Sequence, residues 1–244
     1  MIGQTLKDLY TGPKAEQERR LDFFVYAIYR PLSFAVTPTF LGVGATATNV
    51  TVLNLVLACL MPVVAVAAPD RAHLWLALIT LSCIVLDCVD GNIARATGST
   101  SALGQYLDSF VGKAYFILLV AALAIVAARE VPEVAPGYWL VGALGAAVLK
   151  IWSRESRAYC RLNLAAEPVA FGAGPVGWKN ILFSAAKLVP FGVLALGSLG
   201  LTFVLLAGLL LINAAAFVYT QRRIFRQLSG SRPGFAAPRV VVEP

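Results

Sequence analysis

Charge is what this chain has least of. Only 14% of its 244 residues are Asp, Glu, Lys or Arg, where a soluble domain carries roughly a quarter. With 59% hydrophobic residues and a mean hydropathy of +0.76, an ordinary water-facing surface is excluded, and the chain reads as an integral membrane protein. Histidine is nearly absent. The single one, His73, sits at the edge of a short turn and reads as a surface residue. The four cysteines, Cys59, Cys83, Cys88 and Cys160, form neither a CxxC pair nor a secreted-type spacing. A zinc centre and a disulfide framework are therefore excluded, and all four read as small apolar fillers. The first forty residues are charged and broken by proline, without the apolar core of a signal peptide.

What the chain does have is long apolar runs. Six segments, at about 48–68, 74–95, 101–128, 136–160, 178–197 and 200–226, each approach the ~20 residues that cross a bilayer. The third, fourth and sixth exceed that length, so part of each is expected to project from the membrane. Ahead of them, from Gln17 to about Ser33, Leu21, Phe24, Val25, Ile28 and Tyr29 fall on one helical face, flanked by Arg19, Arg20 and Arg30. This pattern predicts an amphipathic helix lying in the membrane interface. The expected fold class is an all-α integral membrane protein with six transmembrane helices and an N-terminal interfacial amphipathic helix. Three regions follow: an N-terminus and juxtamembrane helix at 1–34, a membrane domain at 35–227, and a tail at 228–244 whose glycines and prolines give it no helical period.

The basic residues set the expected orientation. The turns near 69–73, 129–135 and 197–200 contain only Arg71 and Arg129, fifteen other basic residues fall on the opposite side, and Lys113, Lys150 and Lys187 lie inside spans. By the excess of Lys and Arg on the cytoplasmic side, both termini face the cytoplasm, in a bacterial or archaeal cytoplasmic membrane. The formal charge of +7 then faces lipid headgroups and anionic substrates, and nucleic acid is not an expected partner.

Against this background the stretch from Asp87 to Lys113, DCVDGNIARATGSTSALGQYLDSFVGK, stands out. It places Asp87, Asp90 and Asp108 within or beside apolar segments, where each carboxylate costs about 2.5–3.5 kcal/mol at mid-bilayer. Asp87 and Asp90 are three apart and share a helical face. Gly91 allows a close backbone approach, and Arg95 is suited to gripping an anion. After the polar turn ATGSTS, a second helix carries Gly104 and Asp108. Helices joined by so short a loop are antiparallel neighbours, so the three carboxylates are expected to converge. At 1.5 Å per residue Asp87 lies about 20 Å into its span, at a depth matched by Asp108 from the other side. The site is thereby placed toward the cytoplasmic face. Carboxylate oxygens suit Mg²⁺ or Mn²⁺.

The spacing D-x2-D-G-x2-A-R-x8-G-x3-D resembles the signature of the CDP-alcohol phosphotransferase family at Asp87, Asp90, Gly91, Ala94, Arg95, Gly104 and Asp108. It departs at the last position, where Gly112 replaces a fourth aspartate. The resemblance implies a two-metal site, with Asp87, Asp90 and Asp108 as ligands and Asp87 and Asp108 at the reaction centre. It also implies a CDP-linked donor such as CDP-diacylglycerol, an alcohol acceptor and release of CMP in phospholipid synthesis. Gly112 marks the position of the absent general base and weakens the second metal site. Gly91 and Gly104 match the glycines that make room for nucleotide, Arg95 the arginine that braces the diphosphate, and Lys113 the lysine that follows the last aspartate. Upstream, Thr51 fits the family's threonine at the start of the first span, with Asn49 two residues ahead of it as a cytidine contact or a helix cap. A homodimer is implied by analogy.

Lys150, Arg154, Arg157 and Arg161 recur at spacings of four, three and four, on one helical face. They read either as a solvated flank or as a pocket for an anionic group. The second reading favours a phosphorylated polyol acceptor over choline or ethanolamine. Two further function classes compete: a catalytically impaired member that binds CDP-lipid and metal, and a solute transporter. The transporter is disfavoured because no repeat relates 48–128 to 136–226. A Gly112→Asp change is expected to raise activity by restoring a base.

Overall fold

The computed structural model describes residues 22–163 and 185–230, and all regular structure within them is helical. A π-helical turn, Val25–Tyr29, leads into α1 (Arg30–Gly42). Then follow α2 (Ala47–Ala67), a 3-10 turn (Pro69–Arg71), α3 (Ala72–Thr97), α4 (Ala102–Glu130) and α5 (Pro136–Asn163). After the second 3-10 turn (Ala185–Leu188) come α6 (Val189–Gly197) and α7 (Thr202–Gly230). Four stretches are long and apolar enough to cross a membrane: Ala47–Ala67, Pro69–Thr97, Ala102–Glu130 and Thr202–Arg226. The expected fourth span is a helix, α5, but its second half carries Lys150, Arg154, Glu155 and Arg157. Of the fifth, residues 178–184 lie outside the described residues, as do 1–21 and the tail from 231.

α2 packs on both α3 and α4, α5 and α7 pack on each other and on α4, and α1 and α6 lie against α3. The core is built from small side chains interleaved with large ones: Ala58, Met61 and Ala65 of α2 meet Leu76 of α3, Phe116, Leu119 and Leu123 of α4, Ala146 of α5 and Val193 of α6. Small residues let helix backbones approach closely where lipid supplies no hydrophobic drive between helices. Large apolar side chains such as Val56, Val63, Leu140 and Leu211 face outward, as a lipid-facing surface requires.

Two features position the site. Although joined by only the loop 98–101, α3 and α4 touch each other far less than each touches α2, so a cleft remains between them. That loop is stopped at both ends by its sequence. Gly98 adopts φ +65° and closes α3, and the Ser101 hydroxyl caps α4 by accepting from the Gly104 amide at 3.0 Å. At the opposite end of these helices, Arg129 donates to the Ala65 and Val66 carbonyls at the end of α2. Its neighbour Glu130 accepts from the Thr202 amide at 2.7 Å and caps α7.

The N-terminal helix differs from the amphipathic expectation. Its sequence upstream of Asp22 lies outside the described residues. Beyond it, the helix runs past Ser33 to Gly42, and its buried residues are Tyr29, Arg30, Ser33 and Thr37. Arg30, expected at the flank, is only 3% exposed, whereas Phe23 and Leu32 face outward. The polar face turns inward because the bundle, not the lipid, supplies its hydrogen-bond partners. Asn92 of α3 donates to the Ser33 hydroxyl at 3.1 Å and the Thr37 hydroxyl at 3.3 Å.

Candidate active site

The cleft between α3 and α4 forms a cavity of about 610 Å³, closed on its third side by the turn into α2. Its walls carry Thr48, Thr51, Asp90, Gly91, Arg95, Gly104 and Asp108. A second, smaller chamber of about 190 Å³ is lined by Asn54, Asp87, Asp108, Gly112, Tyr115, Lys150, Arg154 and Lys187. Asp108 borders both. Asp87 and Asp90 therefore share a helical face as their spacing predicts, yet they open into different spaces.

The three carboxylates are mutual neighbours. Asp87 lies within hydrogen-bond reach of Asp108, and Asp90 is within electrostatic reach of both. Asp90 is buried and held by Thr51, whose hydroxyl donates to its Oδ2 at 2.7 Å. Among the described residues no three acidic, thiol or imidazole groups already stand as a metal cage. The donor set nevertheless suits one hard divalent ion. It offers three carboxylates, with the buried Oδ1 of Asn54 beside them in the inner chamber and unpaired among the described residues. Gly112 adds no ligand.

Other expected site residues take definite places. The Arg95 guanidinium folds back over Gly91, where a Cβ would stand 3.2 Å from both of its terminal nitrogens. It donates to Asn92 Oδ1 at 3.0 Å. The space left by Gly91 is thus filled by the chain's own arginine. Thr46, not Asn49, caps α2, accepting from the Asn49 amide at 3.2 Å. Asn49 is exposed and is not among the cavity's wall residues, whereas Thr48 and Thr51 are. Lys113 pairs with Glu155 of α5 at 2.5 Å, away from both cavities.

The basic face of α5 divides. Lys150 and Arg154 line the inner chamber, with the Lys150 ammonium 3.5 Å above the Phe116 ring. Arg157 turns to α7 and donates to the Thr220 hydroxyl at 3.4 Å. The side chain of Arg161 lies outside the described part. Sequence reasoning passed over Lys187, the third cation of the chamber. A lysine in the apolar run SAAKLVP is as costly as the aspartates, and that signal could have found it. Lys187 is anchored from α1's side by the Tyr29 hydroxyl, which donates to its carbonyl. Burial pushes the Tyr29 phenol up to about 12, so it remains a donor. The four cysteines are free, as expected, and Cys83 lines the inner chamber.

A sequence model of the CDP-alcohol phosphatidyltransferase family matches residues 45–221. The chain belongs to that family. No curated protein matches it. The family match runs from Ala45, just before α2, to Gln221 within α7, so it covers the inner chamber's lining and all of the outer cavity's except Leu41 and Gly44. CDP-alcohol phosphatidyltransferases are transferases of phospholipid synthesis and are generally dependent on a divalent metal. Family membership and the four apolar helices together make the chain an integral membrane protein.

Proposed function

We propose that this phosphatidyltransferase moves a phosphatidyl or substituted phosphoryl group from a CDP-linked lipid, CDP-diacylglycerol, to an anionic polyol acceptor and releases CMP. The observation that carries the reading is the pair of cavities meeting at Asp108, one walled by signature residues and the other by three cations. The outer cavity takes the cytidine diphosphate, with Gly91 and Gly104 beside it and Arg95 able to swing from Asn92 toward the diphosphate. The inner chamber takes the acceptor, its phosphate against Lys150, Arg154 and Lys187 and a hydroxyl donating to Asn54 Oδ1. An acceptor oxygen then bonds to the donor phosphorus as the bond to CMP breaks. The hydroxyl proton passes to water or a neighbouring carboxylate, since Gly112 offers no base. Asp87, Asp90 and Asp108 would hold Mg²⁺ or Mn²⁺, which offsets charge on the attacked phosphate and the leaving group. The distribution of basic residues supports six spans with the site facing the cytoplasm.

The test is CMP release from CDP-diacylglycerol by the purified chain in detergent with Mg²⁺, presented in turn with glycerol phosphate, inositol phosphate and their unphosphorylated parents. Release with a phosphorylated polyol alone is the expected result. A second reading, a member that binds CDP-lipid without turnover, is favoured by Gly112. Retained CDP-lipid binding with no CMP release from any acceptor selects it.

A further inference from the structure

Gly112 is more than a missing carboxylate. A Cβ built at this position would stand 3.3 Å from Nη1 of Arg154, so the space beside the glycine already holds a guanidinium. That guanidinium also lies within electrostatic reach of Asp87, which Lys187 approaches as well. The arrangement puts a fixed positive charge where the signature's fourth aspartate would help to hold a cation. Lys150 and Lys187 share the same chamber of about 190 Å³, so an additional divalent ion there would meet three like charges with one fewer carboxylate to offset them.

We propose that Arg154 replaces one of the two divalent ions, so that each chain binds a single ion and supplies the other positive charge from its own side chain. A guanidinium suits this place. It is charged at every physiological pH and presents paired donors that match two phosphate oxygens at once. Glycine at 112 leaves Arg154 this place, since a side chain there would crowd its guanidinium and shift it. Aspartate at 112 would pair with Arg154 in place of gathering a second ion, so the Gly112→Asp change alone is not expected to restore a two-ion site. This inference rests on the metal-dependent reading above.

The experiment counts Mn²⁺ bound per chain, by electron paramagnetic resonance of the purified full chain in nanodiscs, and does not depend on turnover. One ion is expected for the wild type and one for Gly112→Asp. Two are expected for the double variant Gly112→Asp with Arg154→Ala, where the carboxylate is present and the guanidinium gone. Two ions in the wild type, or a second ion in Gly112→Asp as tight as in the double variant, overturn the inference and leave the proposed function standing. No ion in the wild type overturns both. A wild-type count of two overturns the inference even where the variants fail to fold.

Discussion

The hydrogen bond from Thr51 to Asp90 offers a measurable handle on the acidic cluster. Both residues are buried, at 6% and 7% exposure, and the bond is 2.7 Å long. Thr51→Val keeps the shape of the side chain and removes only the donor. A hydrogen bond to a charged group contributes about 1.5–3 kcal/mol, or roughly 10- to 150-fold in an equilibrium that depends on it. Loss of a hydrogen-bond partner that orients a metal ligand typically costs 10- to 100-fold in affinity, and the two figures agree. The expected result is a Mg²⁺ half-saturation for CMP release raised by about 10- to 100-fold, with Thr51→Ser close to wild type. Thermal midpoints measured without metal show whether the variant is folded. The reasoning fails if folded Thr51→Val keeps the wild-type Mg²⁺ dependence while Asp90→Asn abolishes it, because Thr51 then does not position Asp90.

Three further changes read other parts of the arrangement. Gly91→Ala places a methyl 3.2 Å from the Arg95 terminal nitrogens. The flexible guanidinium yields, so the protein should fold while its donor KM rises about tenfold, the equivalent of roughly 1.4 kcal/mol; an unchanged donor KM would detach Arg95 from the nucleotide. Lys187→Ala should raise the KM of a phosphorylated acceptor about tenfold, roughly one lost charge-assisted hydrogen bond, and leave donor KM alone. Equal effects on both substrates would count against the two-cavity assignment. Gly197→Ala puts a Cβ 2.5 Å from that of His73, a backbone-anchored clash between α6 and the start of α3. Overpacking of this kind costs about 1–3 kcal/mol and should lower the thermal midpoint by roughly 2–10 °C. His73→Gly should restore it, and His73→Ala, which keeps its Cβ, should not.

The parts of this site that were legible in the sequence are those fixed by chain register along one helix and across one short loop. Asp87, Asp90, Gly91 and Arg95 ride on α3, and Gly104 and Asp108 follow a turn whose Gly98 and Ser101 set its geometry. Six apolar runs could be counted, but α5 mixes span and charge, and composition alone did not say where its cations point. Arg157 and Arg154 lie less than one helical turn apart, yet one meets α7 and the other the inner chamber, because neighbouring helices divide that face. The proximity of Arg154 to Gly112 depends on the register of α5 against α4, which no local pattern encodes. Lys187 enters from a separate segment for the same reason. The N-terminal stretch reads from its apolar face as an interfacial helix, and that face does not show that Arg30, Ser33 and Thr37 turn toward the bundle. Where the surroundings are themselves apolar, polar groups gain more by turning toward the bundle.

That inversion explains how the signature arginine is held. Asn92 lies one turn below Arg95 and uses both ends of its amide: Nδ2 donates to Ser33 and Thr37 of α1, and Oδ1 accepts from Arg95. α1 lies outside the matched residues 45–221, yet without its Ser33 and Thr37 hydroxyls the Asn92 amide would be buried with donors unmet. An unsatisfied buried donor costs about 1–3 kcal/mol, enough to rotate Asn92 and release Arg95 from its place over Gly91. The weak packing of α3 on α4 leaves the cleft open, and the polar seam beneath α3 keeps its wall in one arrangement. Placement of Arg95 therefore depends on three helices, α1, α3 and the α2 on which α3 packs, and not on the signature alone.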